Sequence, residues 1–238
     1  MNTLKIKQEI RFAFEQLLNL FYPNLCIVCE HRTHSSEELF CMDCQYHIHP
    51  TGMHLLKENE FTSRFKGRLN LIHGASLYYY IKGGRLQKAM ELLKYKNRPE
   101  IGLRLGRFFG NLLKDLPEYA EIDLIIPIPL HPNRKIQRGY NQSALIACGI
   151  AESLNLPVRE DILSRNKETY TQTEKNRMER SINMQKVFEL QKPDVIKGKH
   201  ILLVDDILTT GATLEASANI IQKAEHVRLS MVTVAMAT

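Results

Sequence analysis

The 238-residue sequence has no uninterrupted apolar run near the roughly 18 residues that a membrane span requires. Charges interrupt the apolar positions of its first residues, which show neither a signal-peptide h-region nor a small-residue cleavage site. The expectation is a soluble, cytoplasmic protein with no membrane span. Internal repeats and low-complexity tracts are absent, which excludes repeat arrays. No G-x-x-x-x-G-K-S/T occurs, and a Walker phosphate loop goes with it; no G-x-G-x-x-G occurs, so a dinucleotide fingerprint is missing too. G-x-S-x-G and H-E-x-x-H are also missing. The S-x-x-K match from Ser63 to Lys66 has no companion motif and is read as chance.

What is present describes a globular chain. Apolar residues make up 44% and charged residues 24%, enough hydrophobicity to build a core without disulfides. The net charge of +6 is uneven: residues 1–60 hold five bases against eight acids, leaving the acidic part at −3 and the rest at +9. A basic body of this kind favours polyanionic ligands, either phosphorylated small molecules or nucleic acid.

Periodicity divides the chain in two. Ile6, Ile10, Phe14, Leu17 and Phe21 recur at helical spacing over 4–21, after which a polar stretch rich in histidine and cysteine runs to about Pro50. From Gly74 onward short apolar runs alternate with helical patterns, the signature of an α/β domain. Strands are expected at 75–81, 122–128, 200–204 and 227–237, with a short one near 161–163. Helices are expected around Leu86–Leu93, Ile101–Leu112, Ala144–Leu154 and 212–223. Residues 51–68 read as a connection, and 164–186 as a long polar loop. The expected domains are 1–65, an N-terminal helix with a cysteine module, and 66–238, the α/β body.

Four of the five cysteines fall in 19 positions, as Cys26-x-x-Cys29 and Cys41-x-x-Cys44. Two such pairs bring four thiolates to the corners of a tetrahedron, the arrangement zinc prefers, and leave no open position for a catalytic water. The metal would be structural, supplying folding energy to a zinc-ribbon or knuckle module too short and polar to make a core. His31, His34, His47 and His49 crowd the segment but are read as surface residues. Cys148, on the apolar face of a helix, is read as core. The module lies in the acidic part of the chain, so support or partner docking fits it better than phosphate binding.

The sharpest signal is ILLVDDILTTGAT, 201–213. A buried strand ends on two carboxylates, Asp205 and Asp206. A turn of Thr209, Thr210, Gly211, Ala212 and Thr213 then opens a helix. Open α/β sheets bind ligands beyond the carboxyl ends of their strands. Successive backbone N–H groups, threonine hydroxyls and a helix N-terminus suit a phosphate dianion, and Gly211 lets the backbone approach closely. Acids beside a phosphate site are repulsive unless they accept sugar hydroxyls, hold the waters of a magnesium ion or steady a developing cation.

This stretch resembles the signature of the type I phosphoribosyltransferases: apolar strand, two acids, then T-x-G-x-T. The resemblance implies a Rossmann-like parallel sheet with flanking helices. It also implies that Asp205 and Asp206 meet the ribose hydroxyls of magnesium-bound phosphoribosyl pyrophosphate (PRPP) while 209–213 grip its 5′-phosphate. IPIPLHPNRKIQRGYNQSALIA, 126–147, and the string Arg165, Thr169, Gln172, Thr173, Arg177, Arg180, Asn183 and Phe188 resemble the ComF (ComFC-type) competence family, as does a four-cysteine module placed before such a domain. The likeness covers residues 20–238.

In the 126–147 segment, Pro127, Pro129 and Pro132 stiffen the chain and Gly139 permits a bend. Arg134, Lys135 and Arg138 supply cations there. Arg138 is the best candidate for a pyrophosphate contact, because a guanidinium binds phosphate oxygens bidentately. The basic loop 164–186 stands where phosphoribosyltransferases carry a loop that closes over PRPP; its bases equally suit contact with a nucleic-acid backbone. A second basic stretch, 82–107, places Tyr95 between Lys94 and Lys96, where it either stacks on a base or packs on its own domain.

The ComF resemblance implies a PRPP-binding protein that handles single-stranded DNA during uptake, with competence-machinery proteins as partners. Two alternatives stand beside it. One is an active phosphoribosyltransferase that uses Asp205, Asp206 and Arg138 on an unidentified nitrogen acceptor. The other is a PRPP-responsive regulator or adaptor.

Overall fold

Two near-continuous apolar stretches, 201–204 and 229–236, become neighbouring strands at the centre of a parallel sheet. The computed structural model describes residues 23–35, 38–165 and 187–238. The helix expected over 4–21 and nearly all of the loop expected at 164–186 lie outside them.

In chain order the body carries β1 (Gly74–Tyr80), α1 (Arg85–Tyr95), α2 (Pro99–Leu113), β2 (Leu124–Pro127), α3 (Pro132–Arg138) and α4 (Gln142–Leu154). It continues with β3 (Leu163–Arg165), β4 (Phe188–Leu190), β5 (His200–Leu208), α5 (Ala212–Ile221) and β6 (Arg228–Ala237). Four strands pair in the order β1-β6-β5-β2, all parallel, and β3 and β4 form a separate antiparallel pair. Residues Ile201 to Val204 are fully buried, which in a strand requires cover on both faces. Helix α4 packs on β2 and β5, α5 on β5, and α2 on α4. The α2–α4 approach is close because Gly106 faces the carbonyl oxygen of Ile146 and Gly149 that of Leu103; a Cβ at either position would overlap backbone.

The structure departs from the periodicity in four places. Strand β5 continues past Val204 to Leu208, because Ile207 and Leu208 keep pairing with Ala235 and Met236; both acids therefore lie within the ladder, Asp205 opposite Thr233. The short strand near 161–163 sits two residues later and pairs with β4. Helix α3 has no buried residue, so no apolar stripe announced it; Pro132 starts it and Gly139, at φ +81°, ends it. Residues 51–68 are more than a connection: Thr51 donates its N–H to Leu77 O at 3.1 Å, Asn59 Nδ2 donates to Gly74 O at 2.8 Å, and Phe61 and Phe65 are fully buried.

The chain divides into two compact units between His47 and Ile48, so residues 48–65 group with the α/β body. Among the described residues no helix is long and apolar enough to cross a membrane.

Candidate functional site

Beyond the C-terminal ends of β2 and β5 opens a cavity of about 390 Å³. It is lined by Asp205 and Asp206, by Thr209 and Thr213, and by Lys94, Arg134, Arg138 and Arg165. Asp205 is almost fully buried. Its Oδ1 accepts from Ser143 Oγ at 2.8 Å and from the Asp206 N–H at 2.9 Å. Burial, and the neighbouring Asp206 charge after it, push the Asp205 carboxyl up to about 7. Asp206 Oδ2 pairs with Lys94 Nζ at 2.8 Å, with both side chains largely buried. These contacts leave Asp205 Oδ2 and Asp206 Oδ1 uncommitted among the described residues. That is a donor set suited to sugar hydroxyls or to the waters of a hard divalent cation.

Each of these side chains is placed by its element. Asn141 caps α4 by accepting from the Ser143 N–H at 3.2 Å, and its Nδ2 donates to Ile128 O at 2.9 Å, which pins the helix start to the end of β2. Ser143 is thereby delivered to Asp205. Arg138 donates to Gln142 Oε1 at 2.8 Å and stacks over the Tyr95 ring, its guanidinium carbon 5.2 Å from the centroid. Tyr140 donates its hydroxyl to Leu93 O at 2.5 Å. The last turn of α1 is thus fastened to the cavity rim through three consecutive residues, Leu93, Lys94 and Tyr95.

The turn 209–213 forms a small recess between β5 and α5, where Gly211 takes φ +82° and precedes the first helical residue. The recess is braced from below. Arg64 Nη1 donates to Thr209 O and Nη2 to Ala237 O, each at 2.7 Å. The Phe65 ring lies against Gly211, where a Cβ would meet ring carbons at 3.0 and 3.1 Å. Arg68 pairs with Glu215 in the first turn of α5.

All of the residues expected in the phosphate and ribose site come together: Asp205, Thr209, Thr210, Gly211, Ala212 and Thr213 line the recess, and Asp206 and Arg138 line the adjoining cavity. Lys135 does not line the cavity and lies 3.8 Å from Glu160. Of the basic stretch 82–107, only Lys94 reaches the cavity; Arg98 pairs with Glu100 and Arg107 with Glu152. Arg165 and Phe188 stack, with the guanidinium carbon 5.4 Å from the ring centroid. Thr169, Gln172, Thr173, Arg177, Arg180 and Asn183 lie outside the described residues. The roles of Lys94, Ser143 and Arg64 were not legible as motifs.

In the N-terminal unit the sulfurs of Cys26, Cys29, Cys41 and Cys44 lie within 4.8 Å of one another. Four sulfurs about 2.3 Å from a tetrahedral zinc would stand roughly 3.8 Å apart, so the cluster fits that ion. The first pair sits in a tight turn: the Cys26 N–H donates to His31 O at 2.8 Å, and the Glu30 N–H to Cys26 O at 3.0 Å. Cys41 precedes the short helix Met42–Tyr46, which carries Cys44 inward. His31 is exposed, with Nδ1 3.2 Å from Cys29 Sγ, the position of an outer-shell partner and not of a fifth ligand. His34, His47 and His49 are exposed as expected. Cys148 is only partly buried and lines a shallow surface recess with Glu152 and Asn155.

The chain is similar to known proteins over this region. The family model for the phosphoribosyl transferase domain matches residues 141–236, from the α4 cap to the end of β6. Competence protein F of Haemophilus influenzae is 27% identical over 212 residues, covering 85% of this chain and 93% of that protein. Competence protein ComFC of Bacillus subtilis is 26% identical over 216 residues, covering 90% and 78%. The DNA utilization protein YhgH of Escherichia coli is 30% identical over 141 residues, covering 57% of this chain and 60% of that protein.

Proposed function

We propose that this chain, a homologue of competence protein F and ComFC carrying a phosphoribosyl transferase domain, binds magnesium–PRPP at Asp205, Asp206 and the 209–213 turn and handles single-stranded DNA during DNA uptake. The observation that carries the reading is the meeting of opposites in one cavity: two adjoining carboxylates, a threonine-rich turn at a helix start, and Lys94, Arg134 and Arg138. A simple phosphate site has no use for the acids, and a simple cation site has no use for the turn and the bases. A ligand with a phosphate, a diol and a metal-bound pyrophosphate uses all three.

In this reading the backbone N–H groups and hydroxyls of 209–213 hold the 5′-phosphate. Asp205 and Asp206 accept the ribose hydroxyls, and their ionised oxygens hold the waters of magnesium, whose charge offsets the pyrophosphate. Arg138 and Arg134 take pyrophosphate oxygens, and Lys94 stands between these anions and Asp206. The four cysteines hold a structural zinc ion, which fits a cytoplasmic setting where thiols stay reduced. The relatives' names, competence proteins and a DNA utilization protein, supply the biological context.

Calorimetric titration with magnesium–PRPP tests the site. One ligand per chain, with pyrophosphate competing, supports the reading; no heat and no protection against thermal unfolding would overturn it. Pyrophosphate release in the presence of an amine or base would identify the protein as a working transferase.

A further inference from the structure

Beside the cavity lies a second groove of about 520 Å³, lined by Lys94, Tyr95, Asn97, Arg134, Gln137 and Arg138. Three of these, Lys94, Arg134 and Arg138, also line the first cavity. No carboxylate lines the groove. Tyr95 is 68% exposed, although an aromatic ring of that size is ordinarily placed to bury surface. It is held in place all the same: the Arg138 guanidinium stacks over the ring, Arg138 is itself fixed by Gln142, and the preceding Leu93 carbonyl accepts from Tyr140. The Arg134 side chain makes no hydrogen bond or ion pair among the described residues.

An exposed, oriented aromatic plane, two primary amides that both donate and accept, and three cations, of which Lys94 also pairs with Asp206 on the cavity side, form a set with a definite complement. Phosphates meet the cations, a π-face stacks on Tyr95, and a base edge offering donors and acceptors meets Asn97 and Gln137. An acidic peptide would use the cations and leave the ring and amides idle. We infer that the Tyr95 groove binds single-stranded nucleic acid, one base stacking on Tyr95 and the flanking phosphates on Arg134 and Lys94, and that it is coupled negatively to the phosphoribosyl site through the three shared cations.

The coupling rests on the PRPP reading above; the platform itself does not. Its sign follows from charge. A pyrophosphate in the first cavity draws on Arg134, Arg138 and Lys94 and adds negative charge beside the groove, so each ligand weakens the other by the same factor.

The test is fluorescence anisotropy of a labelled 12-mer of dT, against a 12-mer of abasic sites, with the zinc-loaded full chain in near-physiological salt. Tyr95→Ala is expected to weaken dT binding about tenfold and abasic binding by less than twofold, as loss of one stacked base requires. Tyr95→Phe is expected to restore the difference. Saturating magnesium–PRPP is expected to weaken dT binding about fivefold or more.

Equal dT affinity for wild type and Tyr95→Ala would overturn the platform while leaving DNA handling intact. An equal loss on abasic strands, or displacement by polyglutamate as effective as by dT, would overturn the nucleic-acid assignment. Absence of dT binding by the wild type would overturn DNA handling as well. Unchanged or tighter binding with PRPP, in a protein shown by calorimetry to bind PRPP, would overturn the coupling alone.

Discussion

Ser143 donates its hydroxyl hydrogen to Asp205 at 2.8 Å across 62 positions of sequence, joining the first turn of α4 to the C-terminal half of β5. The bond favours the ionised carboxylate and works against the burial that raises its pKa. Ser143→Ala should therefore push Asp205 further up and weaken magnesium–PRPP binding about tenfold, the worth of one charge-assisted hydrogen bond. Ser143→Thr should keep most of the affinity. Calorimetry at pH 7 and 8.5 checks both, with the alanine defect shrinking at the higher pH.

Asp205 also sets a pH dependence of stability with a definite sign. The folded protein holds this proton more tightly than the unfolded chain does, so the group's contribution is greatest at low pH. It is lost as pH rises from the ordinary carboxylate range through about 7. Ligand affinity runs the other way, rising through the same window because the ionised form binds. Asp205→Asn should flatten this part of the stability profile and unfold at a higher temperature than wild type at pH 8. Thermal scans from pH 4 to 8 read out both effects.

Among the described residues the Arg64 guanidinium hydrogen-bonds one lining residue of the cavity, Thr209, through its backbone carbonyl, and it acts as a positioning residue. Arg64→Ala should cost about 1–3 kcal/mol of stability, the range for hydrogen bonds from a charged donor. It should also raise amide hydrogen exchange at 209–213 more than in β1. A uniform rise in exchange would mean that Arg64 supports the fold without ordering the turn.

These three residues show where sequence legibility ends. ILLVDD followed by TTGAT was readable because a buried strand, two acids and a helix start are contiguous, and contiguity is what pattern detects. The tie from Arg64 to the turn was not readable: besides Glu60 four residues back, its acceptors are backbone carbonyls 145 and 173 positions away, which have no residue identity. Arg64 lies within the S-x-x-K match, in a stretch read as a connection. Lys94 was one base among many in 82–107, and only the direction of the last turn of α1 selects it for Asp206. Helix α3 escaped because periodicity reports burial, and that helix buries nothing.

The cysteine cluster should behave as a separate unit. Cys26→Ser, or a strong chelator, should release one zinc per chain and remove a low-temperature transition while the α/β body keeps its own transition within about 2 °C. Loss of the main transition would place the cysteine unit inside the cooperative core.

The measurement closest to the central claim is magnesium–PRPP binding by wild type and by the double variant Asp205→Asn, Asp206→Asn, each checked for native circular dichroism. Saturable one-to-one binding is expected of the wild type. A loss of at least a hundredfold is expected in the variant, since the phosphate turn remains but the ribose and magnesium contacts do not. A folded variant that binds magnesium–PRPP as tightly as wild type would contradict the claim.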